Sequence, residues 1–169
     1  VVFIEKGDLG GTCLNVGCIP TKSFAHDAEL YRNPLVPKSE NGIDFKPILE
    51  RKNQVVAQLV SGIATLLSQP GITLVKGEAH FVDAHTVAVG GEQYTAKNIL
   101  IPTGSQSKIL PFMHDNPHIG SNVMTSTELL NMDFVPRRLC IIGAGVIGME
   151  FASAFQTFGS EVTVVEFLK

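Results

Sequence analysis

The sequence predicts an α/β fold built from two strand–helix–strand units, each incomplete, and three observations carry that prediction. The chain closes on "LCIIGAGVIGMEFASAFQTFGSEVTVVE", an apolar strand, three clustered glycines, a helix-period segment and a second strand ending in an acid. It opens on "VVFIEKGDLGG", which reads as the second strand of a comparable unit with Glu5 at its tip. Between them a long helical pattern gives way to short strands, so the hydrophobic period switches from 3.6 to 2. A composition of 44% hydrophobic residues with 16 glycines suits such a fold and gives no sign of disorder.

Charge and composition narrow the function classes. Thirteen basic and sixteen acidic residues leave a net charge of -3, and no basic block stands out, so a nucleic-acid partner is not expected. The apolar runs are far shorter than a membrane span, so no membrane association is expected. No charged leader precedes an apolar core in this window. Three cysteines are too few for a disulfide scaffold, and a close pair, Cys13 and Cys18, reads as a redox candidate in an intracellular protein. Cys140, inside "LCIIGAG", reads as a buried core thiol. Because both ends fall within apolar strands, the 169 residues are expected to be an internal piece of a longer chain.

The elements follow in order. After the first strand, "GDLGG" turns the chain into a helix over 12–31, and "RNPLVPKSENG" is a loop. A second helix covers 46–68, where Val55, Val56, Leu59, Val60, Ile63, Leu66 and Leu67 form an apolar stripe that "QPG" ends. "ITLVKGEAHF", "HTVAV" and "EQYTAKNILIPTG" are short strands, the last two split by a Gly90-Gly91 turn. "NILIPTGS" is an apolar strand running into a sharp bend. In "TSTELL" a Thr or Ser caps a short helix ahead of Glu128. The expected division is one domain over 1–113, a linker over 114–122 and the start of a second domain over 123–169.

The downstream glycines fall in the order G-x-G-x-x-G between a strand and a helix, the context that turns a weak pattern into a Rossmann-like dinucleotide site. Gly143 permits a tight turn, Gly145 leaves room for pyrophosphate, and Gly148 allows helix and strand to approach. The helix N-terminus offers free N–H groups to phosphate. Glu166 stands where a carboxylate accepts hydrogen bonds from a ribose diol and repels a 2′-phosphate, which favours NAD over NADP. Glu5 would serve the ribose of another dinucleotide. Two such units imply two dinucleotides, FAD and a nicotinamide cofactor. The alternatives are a nucleotide-free turn at Gly143–Gly148 and, for Glu5 alone, a surface acid.

"GGTCLNVGCIPTK" places the cysteines five positions apart among glycines. Five residues of regular helix rise about 7.5 Å, beyond the roughly 4.4–6.8 Å Cα separation of a disulfide. Bonding therefore needs an irregular helix start, which Gly10, Gly11 and Gly17 permit. Free N–H groups there are expected to lower a thiol pKa. Zinc is the rival, but four residues intervene between the cysteines and no second Cys or His pair stands at ligand spacing, so no metal is expected. Two unrelated buried thiols are the remaining alternative. Lys22, four after Cys18, is either a flavin-facing cation or a solvated lysine.

These motifs resemble, over nearly the whole chain, the FAD-dependent pyridine nucleotide–disulfide oxidoreductases, and within them the dihydrolipoamide dehydrogenase branch. The resemblance implies two glutathione-reductase-type dinucleotide-binding domains. It implies Cys13 as interchange thiol and Cys18 as charge-transfer thiol under the flavin, with Lys22 beside it, paired with Glu150. FAD would be lined by Glu5, Gly10, Gly11, Thr12, Cys13, Lys22, Ala79, Thr103, Gly104 and Ser105. NAD would lie over Gly143, Ala144, Gly145, Val146, Ile147, Gly148, Met149 and Glu150, with Glu166 on its ribose. It also implies a homodimer acting on dihydrolipoamide carried by a lipoyl domain of a 2-oxoacid dehydrogenase or glycine cleavage complex, in the cytoplasm or an organellar matrix.

Departures from the family pattern are Pro102 for the usual alanine and Thr21 for the commoner serine. The resemblance places the FAD glycine loop before Val1 and a dimerisation domain after Lys169, with a partner subunit's histidine and glutamate acting on the interchange thiol. None of His26, His80, His85, His114 or His118 matches that histidine, so this stretch alone is expected not to turn over. The alternatives are a related NAD(P)H-dependent disulfide or mercuric reductase and, from another class, a non-catalytic structural homologue.

Overall fold

The computed structural model describes residues 1–37 and 42–167. The expected loop over 32–42 thus falls partly outside the described residues, at 38–41. Strand β1 (Val2–Glu5) is followed by helices α1 (Gly11–Val16), α2 (Cys18–Arg32) and α3 (Lys46–Leu67). Strand β2 (Thr73–Lys76) then returns parallel to β1, with Val2 beside Thr73 and Glu5 beside Lys76. Strands β3 (His80–Phe81), β4 (Thr86–Val89) and β5 (Glu92–Thr95) make an antiparallel sheet. The turn between β4 and β5 uses Gly90 and Gly91 at φ 57 and 89, the left-handed pair that a two-residue hairpin requires.

Helix α4 (Ser126–Leu129) begins at a capping box, Thr125 accepting from the chain while Glu128 accepts from the Thr125 N–H at 2.6 Å. Strand β6 (Arg138–Ile142), helix α5 (Val146–Phe158) and strand β7 (Glu161–Val165) complete a parallel βαβ unit, Arg138 beside Glu161 through Ile142 beside Val165. Gly159, at φ 113, ends α5 in the left-handed cap conformation.

One core joins the two halves. Phe24 and Ala28 of α2, Phe45 ahead of α3, Leu129 and Leu130 around α4, and Phe151, Ala154, Phe155 and Phe158 of α5 are buried together. Phe24 and Phe155 are fully enclosed, with ring centroids 6.2 Å apart edge to face. The spacing of Phe151, Ala154, Phe155 and Phe158 is that of a helix whose single apolar stripe faces inward.

The structure corrects three expectations. The helix expected over 12–31 is two helices, broken at Gly17. Gly17 lies at φ -132, ψ -117, and a Cβ there would stand 2.9 Å from the Thr12 carbonyl oxygen, so the break needs glycine. "NILIPTGS" forms no strand; Leu100 is 87% exposed, and among the described residues no strand edge lies beside it. The bend survives, with Gly104 at φ 76.

Cys140 is exposed rather than buried. Along β6 only Leu139 and Ile141 turn toward α5; Arg138, Cys140 and Ile142 share the opposite face, which no described element covers. The α3 stripe also stays outside the core, with Leu59 41% and Leu66 62% exposed. The core contacts of this region come instead from Phe45, Ile48 and Leu49 at its start.

Truncating Phe155→Ala should lower the stability of the intact protein by about 3–5 kcal/mol. A urea unfolding midpoint unchanged by the substitution would show that α5 is not seated in this core.

Candidate active site

The cysteine pair is built by the glycines around it. Gly10 and Gly11 take φ 106 and 68, turning the chain off β1 and into α1. The Asn15 amide donates to the carbonyls of Leu9 at 2.9 Å and Gly11 at 3.0 Å, tying the turn to the helix it starts. Cys13 lies on α1 and Cys18 is the first residue of α2, across the Gly17 break. The Thr21 hydroxyl donates to the Gly17 carbonyl at 2.7 Å, so threonine keeps the hydroxyl contact at that position. Gly17 has the role its sequence context predicts, a break in the helix, while the role of Asn15 went unread, although an asparagine inside a short helix prefers backbone partners.

Both thiols are free and exposed, and Cys18 is the neighbour that acts on Cys13. The Cys18 side chain pushes the Cys13 thiol above its ordinary pKa, with a smaller contribution from desolvation. The direction is opposite to the lowering expected at a helix start. The Cys18 backbone N–H does pull downward, but the Cys18 side chain outweighs it.

Lys22, one turn past Cys18, forms an ion pair with Glu150 of α5. It ties the cysteine-bearing helix to the helix of the glycine loop. Arg32, which the sequence reading passed over, adds a second tie at the far end of α2, to Ser153 and Thr157.

The glycine loop has the form the motif predicts. Gly143 is left-handed at φ 101, and a Cβ on Gly148 would overlap the Gly143 carbonyl oxygen. A Cβ on Gly145 would meet nothing within 4 Å, so its absence keeps open space over the α5 N-terminus. Val146 and Ile147 are 81% and 59% exposed beside that space. The Glu166 carboxylate accepts from the Ala144 N–H at 2.6 Å, which holds the acid against the loop. These residues fit a dinucleotide pyrophosphate and ribose.

At the other expected dinucleotide site, Glu5 accepts from the Gly7 N–H at 2.8 Å, and Lys76 beside it bonds the Gly7 carbonyl. A Cβ on Gly104 would lie 3.5 Å from the Thr12 hydroxyl, so the 103–105 bend reaches the start of α1. Glycine and small polar groups at this junction fit a flavin nucleotide. Ala79 follows β2, and Ala79, Thr103 and Ser105 are all exposed. The five histidines are exposed as well. Among the described residues no cluster of three or more ligating side chains suits a metal, and no helix is long and apolar enough to cross a membrane.

A Rossmann-type α/β unit beside an exposed pair of cysteines defines the class of this protein. The family model for pyridine nucleotide-disulphide oxidoreductases matches residues 1–169. The chain belongs to that family. It is 40% identical over 178 residues to the dihydrolipoyl dehydrogenase of Acholeplasma laidlawii, covering 99% of this chain and 52% of that one. It is 39% identical to the mercuric reductase of Bacillus cereus, covering 98% of this chain and 27% of that one. The HOCl-induced flavoprotein disulfide reductase RclA from Escherichia coli superposes with a TM-score of 0.82 at 37% identity, over 97% of this chain and 36% of that one. The chain thus spans about half, or less, of the length of these relatives.

In the reduced protein, the pH at which Cys13 becomes half-reactive toward iodoacetamide should lie above that of an ordinary thiol. It should fall when Cys18→Ala removes the partner. Mass-spectrometric alkylation profiles that coincide with and without Cys18 would contradict the effect of Cys18 on Cys13.

Proposed function

We propose that the intact protein is a flavoprotein disulfide oxidoreductase that oxidises dihydrolipoamide through a Cys13–Cys18 redox disulfide, with FAD and NAD as cofactors. The observation that carries this reading is the exposed cysteine pair either side of the Gly17 break, joined through Lys22 and Glu150 to the helix of a glycine loop. Residues 1–113 would form part of an FAD-binding domain, 114–122 a linker and 123–169 the start of an NAD-binding domain. The reading extends to a homodimer serving the lipoyl domain of a 2-oxoacid dehydrogenase or glycine cleavage complex, in the cytoplasm or an organellar matrix.

Two exchanges complete the half-reaction at sulfur. A substrate thiolate attacks the Cys13 Sγ; a substrate–Cys13 bond forms, the Cys13–Cys18 bond breaks and Cys18 leaves as a thiolate. The second substrate thiolate then attacks the substrate sulfur of that bond, closing the substrate disulfide and releasing Cys13. The substrate loses two electrons and two protons; the cysteines gain the electrons, one proton returns to Cys13 and the other goes to solvent. The raised Cys13 pKa favours the returning proton on the exchange thiol.

Glu5, Gly10, Gly11, Thr12, Cys13, Lys22, Ala79, Thr103, Gly104 and Ser105 would hold FAD. Gly143 to Glu150, with Glu166, would hold NAD. When bound, FAD supplies the electron-accepting ring and NAD the hydride acceptor. Lys22 places an ammonium beside the dithiol helix, where it favours negative charge, and Glu150 restrains it.

A second reading, reduction of another disulfide or of mercuric ion at the expense of NAD(P)H, is supported by the similar identity to the mercuric reductase. Substrate assays on the intact protein separate the two. Lipoamide-dependent NADH formation should be substantial and should fall by ~10³-fold or more in Cys13→Ser. Negligible wild-type lipoamide activity alongside NAD(P)H-driven reduction of another acceptor would select the second reading. Near-wild-type activity in Cys13→Ser would remove both.

A further inference from the structure

The ties between α2 and α5 have an order. Lys22, the fifth residue of α2, meets Glu150, the fifth of α5. Arg32, the last residue of α2, meets Ser153 and Thr157 further along α5. Contacts that advance along both helices together mean that the helices run in the same sense. The cysteine end of α2 and the glycine-loop end of α5 therefore lie at one end of the pair. Lys22 and Arg32 are roughly 15 Å apart along the helix axis.

Between these ties the contact is apolar: Phe24 and Ala28 against Phe151, Ala154, Phe155 and Phe158. The hydrophobic driving force is non-directional, and this seam is what brings the two helices together. The Arg32 fork is directional. Its Nε donates to the Thr157 hydroxyl at 2.7 Å, and its Nη2 donates to the Ser153 carbonyl at 2.8 Å and hydroxyl at 2.9 Å. The Thr157 hydroxyl donates in turn to the Ser153 carbonyl at 2.9 Å, which fixes its lone pairs toward the guanidinium. Ser153 and Thr157 are four residues apart, but their acceptor oxygens cluster, the Thr157 hydroxyl lying 2.9 Å from the Ser153 carbonyl, so a slide of one turn, about 5.4 Å, would strip the fork of its partners.

We infer that Arg32 is a positioning residue for the redox centre: by setting the register of α2 on α5, it holds Lys22 opposite Glu150. Arg32 touches neither the cysteines nor the glycine loop, and it acts through the Lys22–Glu150 pair. The inference rests on the proposed role of Lys22 beside the flavin.

A double-mutant cycle on the intact, flavin-loaded protein tests it, using Arg32→Leu, Arg32→Lys, Glu150→Gln and the Arg32→Leu/Glu150→Gln combination. The readout is the two-electron reduction equilibrium, titrated against NADH/NAD mixtures, with urea midpoints measured in parallel. Glu150→Gln should shift the equilibrium by about threefold, within the range of an exposed ion pair. Arg32→Leu should produce a similar shift when Glu150 is present and almost none in the Glu150→Gln background. Arg32→Lys should give a shift between those of wild type and Arg32→Leu, because an ammonium reaches these clustered oxygens without the rigid planar fork that fixes the slide. Equal Arg32→Leu shifts in both backgrounds, or no shift while Glu150→Gln does shift the equilibrium, would overturn the inference alone. Glu150→Gln without any shift would overturn the reading of Lys22 on which it rests.

Discussion

The aromatic seam between α2 and α5 is the constraint on which the rest of the structure depends. Each phenylalanine enclosed there is worth roughly 1.5–3 kcal/mol of transfer free energy, and each well-set ring pair adds about 0.5–1.5 kcal/mol. The ion pair at the edge of the seam joins side chains that are 62% and 37% exposed, a setting in which such pairs contribute about 1 kcal/mol or less. The seam therefore brings the helices together, and Lys22–Glu150 forms because they are together. The same-sense packing then places the cysteine-bearing helix start at the same end of the pair as the glycine loop.

The second constraint is local. A regular helix would carry Cys13 and Cys18 apart, and the chain instead stops one helix at Val16 and restarts another at Cys18. Gly17 makes that possible by leaving out a Cβ that would press on the Thr12 carbonyl. The break leaves Cys18 beside Cys13, where it raises the Cys13 pKa.

Much of this was legible in the sequence where local signals and global fold agree. The G-x-G-x-x-G loop, the Thr125 cap, the Gly90-Gly91 hairpin and the α5 stripe each follow from short-range chemistry, and each stands where its residues place it. Readings that relied on a neighbour fared differently. Cys140 and "NILIPTGS" look like core strand residues because a strand of a parallel sheet is apolar on both faces. Their exposure depends on what covers the second face, and no short motif encodes that. The Lys22–Glu150 pairing, 128 residues apart in sequence, came only with the family resemblance. Arg32 carried no signal at all, since an arginine at a helix end looks like any solvated terminal charge.

The central claim is that α2 and α5 lie side by side with their N-terminal ends together, so that Lys22 touches Glu150. Zero-length carbodiimide coupling of the intact protein, followed by peptide mass spectrometry, measures that contact directly. The expected result is a Lys22–Glu150 isopeptide alongside the internal control Lys6–Glu78, whose charged atoms stand 3.0 Å apart. Recovery of the control link without the Lys22–Glu150 link would contradict the account.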